Sequence, residues 1–276
     1  MSLAVAAGTI LFVPGSRPDR FAKALASGAD VVCVDLEDAV AADSKAQARL
    51  AAIEAMASGD SRIAIRINGL ETAHGLQDLL ALKESGRAPR LLFVPMVESV
   101  RDVRIVASVL DIDSPRIVPL IETASGLRAA HEIAAAPGVA AMMFGGGDLS
   151  AQLGVELSWE PLAVARGQFI LACGGAGVAT IDVPFTRLDD SAGLEEECLR
   201  AKTLGFTAKA AIHPGQVETI GRIFMPSDAE LSRAHEALEA YRSAGGAAVR
   251  HKGEMLEAPL IRRYEAILAS REKLNA

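Results

Sequence analysis

The chain has 276 residues, half of them hydrophobic, 23% charged and only 4% aromatic, with a formal net charge of -7. Its basic residues are scattered, and an acidic chain without a basic patch is not built to hold nucleic acid or an anionic membrane surface. Chemistry on a small molecule is the default that remains, in one large domain or two small ones.

The apolar run at 3–13 has no basic flank and is interrupted by Gly8, so it reads as the lead-in to a first strand and not as a signal peptide. No segment approaches ~18 uninterrupted apolar residues, and a cytoplasmic protein without a membrane partner is expected. Cys33, Cys173 and Cys198 are widely spaced and form no CxxC, which reads as buried free thiols.

Short apolar runs closed by polar or glycine punctuation predict strands at 9–13, 31–35, 62–67, 91–96, 117–121, 139–144, 178–183 and 207–212. Between them, helical periodicity predicts helices at 20–26, 44–57, 76–85, 99–110, 126–134, 160–173 and 194–204, with 215–223 after the last strand. Parallel strands need a crossover and a helix is the usual one, so eight such units predict a closed (β/α)8 barrel, the TIM-barrel architecture, over residues 1–226. The strands are nearly continuous in apolar character, as strands covered on both faces are. An open doubly wound sheet is the alternative, but the first turn, Pro14 to Arg20, matches neither GxGxxG nor a Walker A loop. Two more helical patterns at 228–243 and 259–274 predict a C-terminal helical extension over 227–276, placed either on the barrel exterior or on a neighbouring subunit.

In a parallel barrel the chain ends of all strands face one side, so polar residues just past the strands share one opening. Those residues are Arg17, Asp35, Glu37, Asp38, Arg66, Asn68, Glu98, Glu122, Asp148, Asp182 and His213. Glu122 and Asp148 follow two consecutive strands and are candidate ligands of a hard divalent cation, Mg2+ with Mn2+ as the alternative, because the set is all oxygen. The competing reading is that they cap the helices that follow them. Arg66 carries a planar fork suited to a substrate carboxylate, or to a salt bridge with Glu37 or Asp38, and these three are the candidate catalytic groups of the opening. Arg17 is a candidate for phosphate contacts, against a plain pair with Asp19 or Asp38. Gly146 and Gly147 offer backbone amides. Asp182 is expected to orient a neighbouring loop and His213 to bond backbone.

With those residues in view, the chain resembles the citrate lyase β-subunit-like family, which includes malyl-CoA and citramalyl-CoA lyases and is related to the HpcH/HpaI aldolases. The markers are Leu-Phe-Val-Pro-Gly-Ser-Arg-Pro-Asp-Arg at 11–20, Val-Asp-Leu-Glu-Asp-Ala-Val at 34–40, Arg-Ile-Asn at 66–68, Pro-Leu-Ile-Glu-Thr at 119–123, Phe-Gly-Gly-Gly-Asp-Leu at 144–149 and Ala-Ile-His-Pro-Gly-Gln-Val at 211–217. The resemblance implies a TIM barrel, a Mg2+ held by Glu122 and Asp148, a substrate carboxylate held by Arg66, and homo-oligomers, commonly trimers, whose C-terminal segment crosses to the next subunit. It implies cleavage of a 3-hydroxyacyl thioester, such as a CoA ester, to a 2-oxo acid and an acetyl thioester. An aldolase on free hydroxy-oxo acids, a lyase on a carrier-protein thioester, and a non-catalytic relative are the alternatives.

Two departures stand out. Many relatives carry Gly-Ala-Glu-Asp-Leu where this chain has Gly145-Gly146-Gly147-Asp148-Leu149, so an acidic neighbour of Asp148 is missing. The C-terminal motif, Gly-Lys-Met-Val-Asp-Ala-Pro in relatives, reads Gly253-Glu254-Met255-Leu256-Glu257-Ala258-Pro259. The resemblance makes Glu257 the candidate acid/base group, set one methylene further out than the aspartate it replaces.

Overall fold

The computed structural model describes residues 8–114 and 116–272. Residues 3–7 of the N-terminal apolar run and 273–274 of the last expected helix lie outside the described residues. Eight strands, β1 (Thr9–Pro14), β2 (Val31–Asp35), β3 (Ile63–Arg66), β4 (Leu92–Val94), β5 (Ile117–Ile121), β6 (Ala141–Phe144), β7 (Ala179–Asp182) and β8 (Ala208–Ala211), pair in parallel in sequence order. β1 also pairs with β8, which closes the barrel. The connecting helices are α1 (Phe21–Leu25), α2 (Lys45–Ala57), α3 (Ala73–Glu84), α4 (Val100–Val109), α5 (Ala124–Arg128), α6 (Ala130–Ala134), α7 (Gly146–Leu153), α8 (Trp159–Ala176), α9 (Ser191–Leu204) and α10 (Val217–Phe224). The chain is therefore the (β/α)8 barrel that its alternating pattern predicts.

Alternation along the strands sorts the core into two layers. Ile10, Val31, Cys33, Ala64, Phe93, Leu120, Met143, Ile181 and Ala208 fill the barrel, while Leu11, Val32, Ile65, Val94 and Phe144 pack outward against the helices. The same parity carries past the apolar residues to the strand ends. Asp35 and Arg66 continue the inner face of β2 and β3 and are register partners, and Glu122, one residue beyond β5, continues the inner face that holds Leu120. Asp182 and Lys209 have the opposite parity and point into the helix layer.

Several boundaries differ from those read in the sequence. β4 stops at Val94 because Pro95 follows and Met96 turns into left-handed backbone with φ 55°. The expected helix at 126–134 is two short helices, α5 and α6, because Ala129 leaves helical geometry at φ -90°, ψ 2°. Residues 146–153, where the sequence predicts no helix, form α7.

After the barrel, α11 (Asp228–Ser243) and α12 (Ala258–Glu272) pack on a small core of their own, Ala234, Ala237, Leu238, Leu256, Ile261 and Tyr264. The polar run between them is an antiparallel hairpin, β9 (Val249–His251) with β10 (Glu254–Leu256). Its turn places both Lys252 (φ 45°) and Gly253 (φ 90°) at positive φ, the backbone that a two-residue hairpin of this hand demands. Among the described residues no helix is long and apolar enough to cross a membrane.

Candidate active site

At the chain ends of the strands lies a cavity of about 410 Å³. Phe12, Leu120, Met143 and Leu157 give it apolar walls, and Asp35, Asp38, Arg66, Glu122 and Asp148 give it charge. A smaller, more polar cavity of about 210 Å³ adjoins it across Leu157 and Val183–Thr186, bounded by Trp159 and Arg200. The acids there are already matched, Glu160 by Arg200 and Glu197 by Lys209, so the larger cavity is the better candidate for chemistry.

Arg66 is committed more fully than its sequence suggests. Its Nε and Nη2 donate to the two carboxylate oxygens of Asp35 at 2.6 and 2.7 Å, and its Nη1 lies 2.8 Å from Glu37 and 3.5 Å from Asp38. The expected pairs with Glu37 and Asp38 both form, but the two-pronged partner is Asp35, the neighbour across the β2–β3 register. Asp35 also accepts from the amides of Glu37 and Ala39, and Lys45 Nζ donates to the carbonyls of Leu36 and Glu37. The acidic loop is thereby held over the opening. Arg66 rests on the face of Phe12, 5.2 Å from the ring centroid.

Glu122 is buried, and one of its oxygens accepts the amide of Met96 at 2.8 Å. The left-handed turn at Met96, absent from any sequence signal, is what aims that amide. On the other side Glu122 lies against Gly145, where a Cβ would overlap the Glu122 side chain. Gly145 is thus a glycine for reasons of space, with φ in the ordinary negative range. Gly146 is buried and tightly packed, its hypothetical Cβ 3.2 Å from Leu157 and Phe144, and it does not line the cavity. Gly147 and Asp148 do, in the first turn of α7. No side chain caps α7, so the amides of its first turn have no intrahelical acceptor.

Five carboxylates, Asp35, Glu37, Asp38, Glu122 and Asp148, thus gather around one guanidinium. Burial pushes Glu122 up to about 7, with Asp148 and Asp38 adding to the rise against Arg66 and the Met96 amide. Burial likewise lifts Glu37 to about 8, where Arg66 pulls down and Glu122, Asp38 and Asp35 push up. Asp148 is raised by burial and then by Asp38. Such a cluster lacks positive charge. Among the described residues no group of three or more His, Cys, Asp or Glu side chains has metal-ligand spacing. Two carboxylates, completed by water and substrate oxygens, are nonetheless the usual protein share of a Mg2+ site, and Glu122 with Asp148 fits that donor set.

Other expected site residues lie elsewhere. Arg17 is exposed and forms a two-pronged pair with Asp19 at 2.9 and 2.7 Å, outside the cavity lining. Glu257 is exposed at the junction of β10 and α12 and is not among the residues lining this chain's cavity. His213 caps a one-turn helix, its Nδ1 accepting from the Gly215 amide, and Asp182 belongs to a buried ion network outside the barrel wall. Sequence reasoning missed Lys209 and Gln216. The signals available were a lone lysine in an alanine-rich strand and a glutamine three residues past His213.

Fold and opening define a class, a closed parallel barrel with an acidic, cation-deficient site at its strand ends. The family model for HpcH/HpaI aldolase/citrate lyase matches residues 8–214, and the chain belongs to that family. An L-malyl-CoA/beta-methylmalyl-CoA lyase of Cereibacter sphaeroides is 35% identical, covering 96% of this chain and 95% of that protein. A (3S)-malyl-CoA thioesterase of the same species is 34% identical over 86% of this chain and 83% of its own length. Among solved structures, protein CitE from Mycobacterium tuberculosis in complex with magnesium, acetoacetate and coenzyme A is 34% identical, with a TM-score of 0.81 over 96% of this chain and 97% of that one.

Proposed function

We propose that the chain is a Mg2+-dependent carbon–carbon lyase that cleaves the CoA thioester of a 3-hydroxy acid to a 2-oxo acid and an acetyl thioester. The observation that carries this reading is the single cavity in which Arg66, Glu122 and Asp148 meet with too little positive charge. Lyase relatives over nearly the whole chain, and a magnesium- and CoA-bound structural neighbour, support it.

Glu122 and Asp148 would hold the ion, Mg2+ or alternatively Mn2+. Bound there, it supplies Lewis acidity that favours loss of the substrate hydroxyl proton and steadies the carbonyl that forms. The protein's own groups do the rest. Arg66, steadied by Asp35, would turn its Nη1 edge from Glu37 and Asp38 to the substrate carboxylate, and the amides of Gly147 and Asp148 add donors. Asp38, on the cavity wall, takes the hydroxyl proton. As the carbon–carbon bond breaks, its electron pair stays on the thioester side as an enolate, which takes one proton at carbon. Glu257 is the donor in this reading, and because it does not line the cavity of its own chain a neighbouring copy would supply it. In this reading residues 1–226 are the catalytic barrel and 227–276 an arm that packs on a neighbouring subunit, in a trimer. Three buried free thiols suit the reducing cytoplasm.

The test offers (S)-citramalyl-CoA, malyl-CoA and citryl-CoA to the purified protein, with and without EDTA, and follows 2-oxo acid and free thiol separately. EDTA-sensitive release of the 2-oxo acid is expected. Free thiol with intact hydroxy acid would make the chain a thioesterase, and no product from any substrate would overturn the reading.

A further inference from the structure

The Ala-Ile-His-Pro-Gly-Gln-Val motif at 211–217 is not accounted for by metal, carboxylate or acid/base roles. Its glutamine is the informative residue. Gln216 is buried, 4% exposed, and makes three hydrogen bonds. Its side-chain oxygen accepts from the amides of Ile212 at 2.9 Å and His213 at 3.2 Å, and its Nε2 donates to the carbonyl of Phe185 at 2.7 Å. Two amides on one side and a carbonyl on the other leave only one orientation of the side-chain amide. One segment upstream, fully buried Lys209 donates to the carbonyl of Val183 at 2.6 Å, and to Asp182 and Glu197 at 2.6 and 2.7 Å. Its three donors are thereby all used.

Both bonds grip the connection between β7 and α9. Val183, Pro184 and Thr186 of that connection are part of the wall of the catalytic cavity. Pro184 has no amide to donate, so the carbonyls before and after it are the natural handles on this stretch. We propose that Gln216 and Lys209 are positioning residues: from the β8 unit they fix the Val183–Thr186 wall against which the substrate lies. Neither touches substrate. The inference rests on the reading of this cavity as the catalytic one.

Gln216→Glu separates the two duties of the side chain. An ionised carboxylate still accepts from Ile212 and His213 but turns an acceptor toward the Phe185 carbonyl, so the tie is lost while the cap is kept. Burial favours the protonated acid, whose O–H would restore the tie, so the variant is measured at alkaline pH. In the full-length protein, faster amide hydrogen exchange across 183–187 is expected, with kcat/KM for the thioester about tenfold lower, carried mainly by KM, since a small displacement of a substrate-positioning wall costs 10- to 100-fold. The neutral, shorter Gln216→Asn cannot span to Phe185 and should behave alike, which covers the case of a variant that does not fold. Exchange across 183–187 and kcat/KM both within twofold of the parent would overturn the proposal. So would lost activity with unchanged exchange. If the parent cleaves no thioester, the assignment of the cavity fails instead, and the exchange measurement still decides the tie.

Discussion

Two charge clusters sit at the ends of this barrel's strands, one buried and one open to the cavity at Asp38 and Asp148, and they differ in balance. Behind β7 and β8, Asp182 meets Arg166 at 3.0 Å and Lys209 at 2.6 Å, and Lys209 also meets Glu197. Two bases face two acids. Burial would raise Asp182, yet Lys209 and Arg166 hold it below its ordinary value; burial would lower Lys209, yet Asp182 and Glu197 hold it above. At the mouth, five carboxylates share Arg66, and burial and mutual repulsion win, with Glu37 near 8 and Glu122 near 7. A cluster that balances itself is scaffold, and one that does not is waiting for a cation.

The difference is most sharply tested by removing one member from each. Lys209→Met leaves Asp182 and Glu197 without their shared base and is expected to cost about 3–5 kcal/mol of stability, measured by urea unfolding, because breaking a buried pair strands a charge. Glu122→Gln removes one of the crowded charges, so the metal-free protein is expected to be no less stable than the parent. A large destabilisation by Glu122→Gln would break the comparison.

Next in size is Gly145→Ala, which drives a methyl group into the space of Glu122. A fall in turnover on the order of 100-fold is expected in steady-state assays, since the carboxylate must move by about an ångström or more.

The clusters also carry opposite pH signatures. Glu37 and Glu122 bind protons in the folded chain that the unfolded chain releases near 4.5, so their contribution to stability is full below 4.5 and is lost as pH rises through about 7 and 8. Asp182 is lowered, so its contribution is present above 3.8 and lost as pH falls below it. The metal-free protein's resistance to thermal unfolding should therefore weaken as pH rises from 5 to 8, and saturating Mg2+ should flatten that slope. The smallest effect belongs to Arg17→Ala, whose exposed pair with Asp19 should leave the melting temperature unchanged. Weaker binding of the CoA ester with unchanged binding of the free oxo acid would place Arg17 at the carrier phosphates.

The barrel was legible because the strands are short apolar runs with polar residues gathered at their chain ends. The inner-face parity of Asp35, Arg66 and Glu122 was not, because strands apolar on both faces show no alternation until the barrel sorts them into two layers. What escaped the sequence was local backbone. Nothing in Pro95-Met96 announces a left-handed turn, Ala129 carries no helix-breaking signal, and Gly145-Gly146-Gly147 disguised the start of α7. The partner of Arg66 was hidden for a different reason. Three acids within four residues compete for one guanidinium, and only the β2–β3 register decides for Asp35. Lys209 and Arg166 were passed over because a cation in an apolar element reveals its counter-charge only once β7, β8 and α8 are assembled.

The most direct test of the cation-deficient mouth is calorimetric titration of the metal-free protein with Mg2+ at pH 7, in two buffers of different ionisation enthalpy. The expected result is saturable binding of a single ion with partial proton release, because Glu122 titrates near 7, and loss of that binding in both Glu122→Gln and Asp148→Asn. No saturable binding, or binding that survives both substitutions, would contradict it.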